Sequence, residues 1–136
     1  MDKVIFACVH SAGRSQMAAA FFNRLAAADK ARAVSAGTEP AERVHPEVVE
    51  VMRELGLDLS AARPQRLTAE MAASAALLVT MGCGESCPYV PGLAREDWPL
   101  ADPKGRGLDD VRRIRDDVRA RVETLVAANR WGSPSS

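Results

Sequence analysis

The chain has 136 residues, 47% of them hydrophobic, with Lys+Arg and Asp+Glu both at 18 and a formal net charge of zero. That length suits one domain with a proper core, and the balanced charge lacks the basic excess that nucleic-acid or anionic-membrane binding uses, so any anion must be bound locally. No apolar run approaches the roughly 20 residues of a membrane span, and no charged, apolar and cleavable sequence leads the N-terminus, so neither a span nor a signal peptide is expected. Three cysteines, an odd number, argue against a secreted disulfide scaffold and for reduced, working thiols in a cytoplasm.

Val4-Ile5-Phe6-Ala7 has the length and composition of a buried strand. The stretch Gln16 to Leu25 follows as a helix with Met17, Phe21 and Leu25 on one stripe. Between them lies CVHSAGRS, Cys8 to Ser15. Small side chains at Ser11, Ala12 and Gly13 let backbone N–H groups turn inward into a nest, and a nest on a helix N-terminus binds a tetrahedral dianion. Arg14 closes over such an anion with two parallel hydrogen bonds. Those same donors stabilise a thiolate at Cys8. Ser15 is placed to cap the helix and to donate its hydroxyl hydrogen to the sulfur. His10 either adds a ring N–H to the cradle or points outward from the loop.

Ala31 to Ala36 predicts a second strand stopped by Gly37. A helix begins at Pro46, after His45, with Val48, Val49, Val51, Met52 and Leu55 as its apolar face, and ends at Gly56. His45 itself reads as an N-terminal helix residue. Ser60 to Pro64 is a polar connector, and Thr68 caps a short helix over 69–74. Leu77 to Met81 is a third strand, apolar enough to be covered on both faces. A short fourth strand is placed around Glu96-Asp97-Trp98. The last helix runs from about Leu108 to Asn129, with Leu108, Val111, Ile114, Val118, Val122, Leu125 and Val126 on one face. Asp109/Arg113 and Asp117/Arg121 are favourably oriented i,i+4 pairs on a solvated charged face. Trp131 and Tyr89 read as packing residues. The pattern predicts a small doubly wound α/β fold: a parallel four-stranded sheet flanked by helices, with ligands at the carboxyl ends of its strands. It comprises a single domain over residues 1–130 and a tail over 131–136, frayed from Ser133.

Two further loops reach that carboxyl edge. Asp102-Pro103 lies in a Pro- and Gly-rich loop from Pro99 to Gly107, where Asp102 is either a general acid for a leaving oxygen or an ordinary turn former. Asp97 is a second acid candidate, disfavoured by its place in a strand. Cys83 and Cys87, three residues apart after the third strand, are either inert thiols or redox partners of Cys8. Their spacing, with only His10 and His45 available as further ligands, matches no zinc pattern, so no metal is expected.

Cys8-x5-Arg14-Ser15 with a late Asp102-Pro103 resembles the low-molecular-weight tyrosine phosphatase fold and the arsenate reductases built on it. Closer to the reductases are the runs Gly13 to Ala18, Ser35 to Thr38, Val79 to Gly84 with Cys87-Pro88, Glu96-Asp97-Trp98 and Val111 to Asp116. The resemblance covers the chain to about Ala127 and is nearest to the branch that passes arsenate to mycothiol and relies on mycoredoxin. It implies that arsenate, with phosphate and sulfate as mimics, docks against His10, Ser11, Ala12, Gly13, Arg14 and Ser15. Cys8 then attacks arsenic, and Asp102 protonates the departing oxygen. It implies no bound cofactor but a thiol co-substrate: mycothiol, or thioredoxin with Cys83 and Cys87 as relay. A monomer or weak homodimer is expected. Thioredoxin-coupled relatives usually carry Asn where Ser11 stands and Glu where Ala19 stands, a pair that helps bind potassium; no such ion is expected here. The mycothiol branch also usually has Asn at the Ser11 position. Two other functions use the same residues. One is a phosphotyrosine phosphatase, against which the chain's single Tyr and three Phe and the non-aromatic Asp102 loop count. The other is a non-catalytic oxyanion or redox sensor.

Overall fold

The computed structural model describes residues 1–82 and 90–132. Its elements run β1 (Asp2–Cys8), α1 (Arg14–Leu25), β2 (Ala31–Gly37), α2 (Pro46–Arg53), α3 (Ala69–Ala73), β3 (Leu77–Thr80), β4 (Ala94–Asp97) and α4 (Leu108–Ala128). The strands form one sheet in the order β2-β1-β3-β4, and every neighbouring pair is parallel. The chain crosses from β2 past β1 to β3, so strand order reverses between β1 and β3. Cys8 ends β1 at that reversal, where open α/β sheets hold their ligands.

The two faces of the sheet are covered unequally. Val4, Phe6, Ala33 and Val79 point into the main core with residues of α1, α2 and α4. Ile5, Ala7, Ala36 and Leu78 point the other way, under α3 and its flanking segments. This alternation places apolar residues on both sides of β1 and β3, which is why their sequences read as continuous apolar runs. Phe6 lies tilted against Trp98 at 5.6 Å and edge-on to Phe22 at 5.9 Å.

Several boundaries and contacts differ from the sequence expectation. Helix α1 starts at Arg14, with Gly13 as its cap residue, and Ser15, expected to cap it, makes no capping bond; its hydroxyl is engaged elsewhere. The core stripe of α1 is Met17, Ala18, Phe21 and Phe22, whereas Leu25 is only partly buried. Strand β4 begins two residues earlier than placed, and Trp98 lies just past it, buried in the core. Leu108 is 39% exposed and does not join the α4 core face. Thr68 does cap α3, accepting from the Met71 N–H at 3.2 Å.

Helix α4 is not purely a solvated charged face. Arg115 is buried and donates to the Val51 carbonyl at 2.9 Å and to Glu54 at 2.8 Å, tying α4 to the end of α2. Arg112 adds a two-pronged pair to Glu54. Asp109 pairs with Arg112 rather than Arg113, which takes Asp110, so these ion pairs are i,i+3; only Asp117–Arg121 keeps the i,i+4 spacing. Trp131 packs edge-on against Phe22 at 5.4 Å, and its indole N–H donates to Asp2.

Candidate active site

The cradle is built by bringing the end of β1 against the end of β2. Cys8 pairs in register with Gly37, and a Cβ on Gly37 would lie 2.5 Å from the Val9 carbonyl and 2.9 Å from the Ser11 nitrogen. Only glycine lets the loop pass there. Gly37, expected merely to stop a strand, is thus the last residue of β2 and the floor of the loop. Ser11 then adopts φ +53°, a left-handed conformation in which Asn is the favoured non-glycine residue. Ser11 is fully buried, and its carbonyl accepts from the Gln16 amide at 2.9 Å.

The backbone N–H groups of Ser11, Ala12, Gly13, Arg14 and Ser15 donate to no acceptor among the described residues. They lie between a buried Cys8 and the start of α1, where the helix end adds positive character. Arg14 is buried as well. Its Nη1 is fixed by the Leu100 carbonyl at 2.9 Å, while its Nε has no partner among the described residues. Buried donors without acceptors are costly, and a tetrahedral oxyanion is a ligand that satisfies backbone and guanidinium donors together.

The sulfur is held by a chain of hydroxyls. Cys8 Sγ lies 2.9 Å from Ser15 Oγ, which lies 2.6 Å from Ser35 Oγ, which lies 2.8 Å from Ser11 Oγ. Each hydroxyl has one proton to give. With a thiolate at Cys8, Ser15 must donate to sulfur, Ser35 to Ser15 and Ser11 to Ser35, and the Gln16 amide completes the line at 3.5 Å from Ser11 Oγ. All dipoles then point toward the negative sulfur. The sequence singled out Ser15 for this contact but not Ser35, whose place one strand away gives no local signal.

Asp102 arrives from the loop after β4. Its Oδ2 lies 3.8 Å from Arg14 Nη2, and its side chain is 49% exposed. The other oxygen accepts from the Lys104 N–H at 3.0 Å, and Arg106 clamps the Asp102 carbonyl at 2.6 Å. Pro103 is buried against Gly13, where an added Cβ would meet its Cγ at 2.8 Å. The Asp-Pro pair therefore sits over the cradle with one carboxylate oxygen turned to it. Asp97, the rival acid, is bonded to the Thr80 hydroxyl and to Arg95. The Thr80 bond, then Arg95, holds its carboxyl below the usual range, so it stays a fixed carboxylate rather than a proton donor.

His10 turns its Nδ1–H to the Glu39 carbonyl at 3.0 Å. His45, read from sequence as an N-terminal helix residue, is the cap residue of α2 and lies beside Gly13. Its pKa is lowered, chiefly by burial, against the opposing pull of Asp102 and Glu47. Gly82, at φ +88°, passes so close to Arg14 that any side chain would overlap the guanidinium. Cys83, Cys87 and Tyr89, and the tail from Ser133 to Ser136, lie outside the described residues.

The family model described as low molecular weight phosphotyrosine protein phosphatase matches residues 3–130. A Halobacterium salinarum protein provisionally named an arsenate reductase is 41% identical over 124 residues, covering 88% of this chain and 87% of its own. A glutaredoxin arsenate reductase of Synechocystis is 37% identical, covering 93% and 98%. Among solved structures, a thioredoxin-dependent arsenate reductase of Corynebacterium glutamicum superposes with a TM-score of 0.81 at 35% identity; the match covers 94% of this chain and 61% of that longer one. A structure titled as an arsenate reductase in the phosphate binding state gives 0.82 at 34% identity, covering 94% and 98%. With a buried thiol, a loop of unpaired donors among the described residues and a loop carboxylate on a four-stranded parallel sheet, the chain belongs to the low-molecular-weight phosphotyrosine protein phosphatase family, in company with arsenate reductases that share the fold.

Proposed function

We propose that this protein is an arsenate reductase in which Cys8 is the nucleophile and Arg14 with the Ser11-to-Ser15 amides holds the oxyanion. The observation that carries this reading is the run of loop N–H groups and Arg14 Nε that find no acceptor among the described residues, next to a buried thiol. Relatives named as arsenate reductases support arsenate over a phosphate ester. So does the Asp102 loop, whose residues Pro99 to Gly107 include no aromatic side chain to stack on a phenyl ring.

Cys8 thiolate attacks arsenic, and the As–O bond to a leaving oxygen breaks while Asp102 gives that oxygen a proton, so that water departs. The product is a Cys8–S–As(V) adduct. In the mycothiol reading, a mycothiol thiolate then displaces Cys8 from arsenic, and the arseno-thiol adduct leaves. A mycoredoxin thiolate next attacks the mycothiol sulfur, releasing arsenite as As(III) and leaving a mixed disulfide. In the second reading, Cys83 or Cys87 attacks Cys8 sulfur, arsenite leaves, and thioredoxin reduces the resulting protein disulfide. The thioredoxin-dependent Corynebacterium relative favours keeping that second route. In both, two thiols lose the two electrons that arsenic gains.

The test is arsenite release from arsenate with mycothiol plus mycoredoxin, or with thioredoxin, its reductase and NADPH. Each is run on wild type, Cys8→Ser and the Cys83→Ser/Cys87→Ser double variant. Turnover with mycothiol that survives the double variant assigns Cys8 alone to the chemistry; turnover with thioredoxin that the double variant loses assigns the relay. Retained turnover in Cys8→Ser overturns the mechanism.

A further inference from the structure

His10 and His45 both flank the cradle, yet only one has its ring committed. His10 spends Nδ1 on the Glu39 carbonyl. His45 is fixed by its backbone, whose N–H donates to the Ala12 carbonyl at 2.9 Å. Its ring makes no hydrogen bond among the described residues. Its Cδ2 lies 3.5 Å from the point where a Cβ on Gly13 would sit, against the same backbone that Pro103 covers. The imidazole and Pro103 thus pack against the same side of Gly13, a residue of the cradle loop. The sequence placed His45 at a helix start, and the structure makes it that helix's cap residue without a side-chain capping bond.

We propose that His45 is the pH-responsive wall of the cradle: when protonated it adds a positive charge beside the oxyanion and tightens capture of doubly charged tetrahedral anions. This rests on the anion-binding reading of Arg14 and the loop amides, and goes beyond it by giving the site a proton-linked affinity. Around the ring, Asp102 and Lys104 belong to the loop after β4, Glu47 to α2 and His10 to the cradle loop. Asp102 and Glu47 favour the charged ring, whereas burial, Lys104 and His10 disfavour it. Burial is the largest of these, so the ring is neutral at neutral pH before an anion arrives. A dianion reverses the balance, because it adds negative charge where Arg14 and the amides already hold it. Binding therefore takes up a proton at His45, and by linkage lower pH strengthens binding. Captured arsenate then has a second cationic group near it besides Arg14.

The measurement uses sulfate, whose double charge stays constant where arsenate and phosphate titrate. It uses a Cys8→Ser background, so that ionisation of the sulfur does not enter. Sulfate affinity is read by calorimetry between about pH 8 and about pH 5, the range in which histidine changes charge. The expected result is binding about 3- to 10-fold tighter at the acid end, equivalent to a half to one decade of linkage. The added His45→Gln substitution flattens that dependence, while an added His10→Gln leaves it. In the Cys8→Ser protein with both histidines present, NMR titration of the His45 ring protons moves to a higher midpoint in saturating sulfate. That arm needs no histidine variant to fold.

Sulfate binding that depends on Arg14 but is flat with pH, with the His45 midpoint unmoved by sulfate, overturns the role of His45 and leaves the cradle standing. A pH dependence abolished by His10→Gln instead also overturns it. Absence of sulfate binding at every pH overturns both readings.

Discussion

Gly82→Ala is the sharpest perturbation of the site that touches none of its chemistry. An added Cβ would lie 2.3 Å from Arg14 Nη1 and 3.3 Å from its Cζ. Ordinary contact begins near 3.4 Å, so the guanidinium must retreat by about 1 Å. It cannot move freely, because Nη1 is held by the Leu100 carbonyl at 2.9 Å and the residue is buried. A misplacement of about 1 Å in a group that orients substrate costs about 100-fold in rate, or about 2.7 kcal/mol of transition-state stabilisation. The substitution also forces alanine to φ +88°, at a stability cost of about 1–2 kcal/mol. Gly92→Ala separates the two effects, since Gly92 has φ +83° and nothing within 4 Å of its added Cβ. Both variants should lower the urea midpoint by similar amounts, but only Gly82→Ala should lose kcat/KM for arsenite release. A Gly82→Ala enzyme within twofold of wild type in kcat/KM, or a Gly92→Ala enzyme impaired as much, would refute the claim that Gly82 makes room for Arg14.

Asp102→Asn should slow turnover by about 100-fold or more, the usual weight of a general acid, while sulfate affinity stays nearly unchanged; equal turnover removes Asp102 from the acid role. Ser35→Ala cuts the hydroxyl line between Ser15 and Ser11. Loss of about 0.5–1.5 kcal/mol of hydrogen bonding should slow iodoacetamide alkylation of Cys8 about 2- to 10-fold, and Ser35→Thr should restore it. The Glu54 carboxyl, held by Arg112 above all and then by Arg115, is lowered from 4.5 to about 2. A lowered folded-state pKa stabilises the fold fully above the unfolded value and loses that stability as pH falls from about 4.5 toward about 2. Glu54→Gln should therefore flatten the stability–pH curve in that window, read by urea unfolding; an unchanged acid slope would deny the pair its role.

The candidate nucleophile, the arginine and the strand before them are consecutive in the chain. Val4 to Ala7 is apolar on both pleat faces, Ser11 to Gly13 are small, and a helix opens at Arg14, so the loop follows from local chain geometry. The i,i+3 against i,i+4 choice in α4 was not decided locally, because Arg112 is drawn by Glu54, the residue that caps the end of α2, as well as by Asp109. Arg115 likewise looked solvated by spacing and is buried because α2 ends against it with a free carbonyl and a carboxylate.

By itself the sequence determined most of the elements, their alternating α/β order and the candidate nest of Cys8-x5-Arg14, because each depends on neighbours within a few residues. Only the tertiary structure decided which distant groups complete the nest. Ser35 meets Ser15 because β2 pairs in register beside β1. The Leu100 carbonyl and Asp102 meet Arg14 because β4 delivers its loop to the same edge, and His45 meets Gly13 because α2 starts on the cradle backbone. Those meetings depend on strand order and loop closure, long-range contacts that no spacing in the chain encodes.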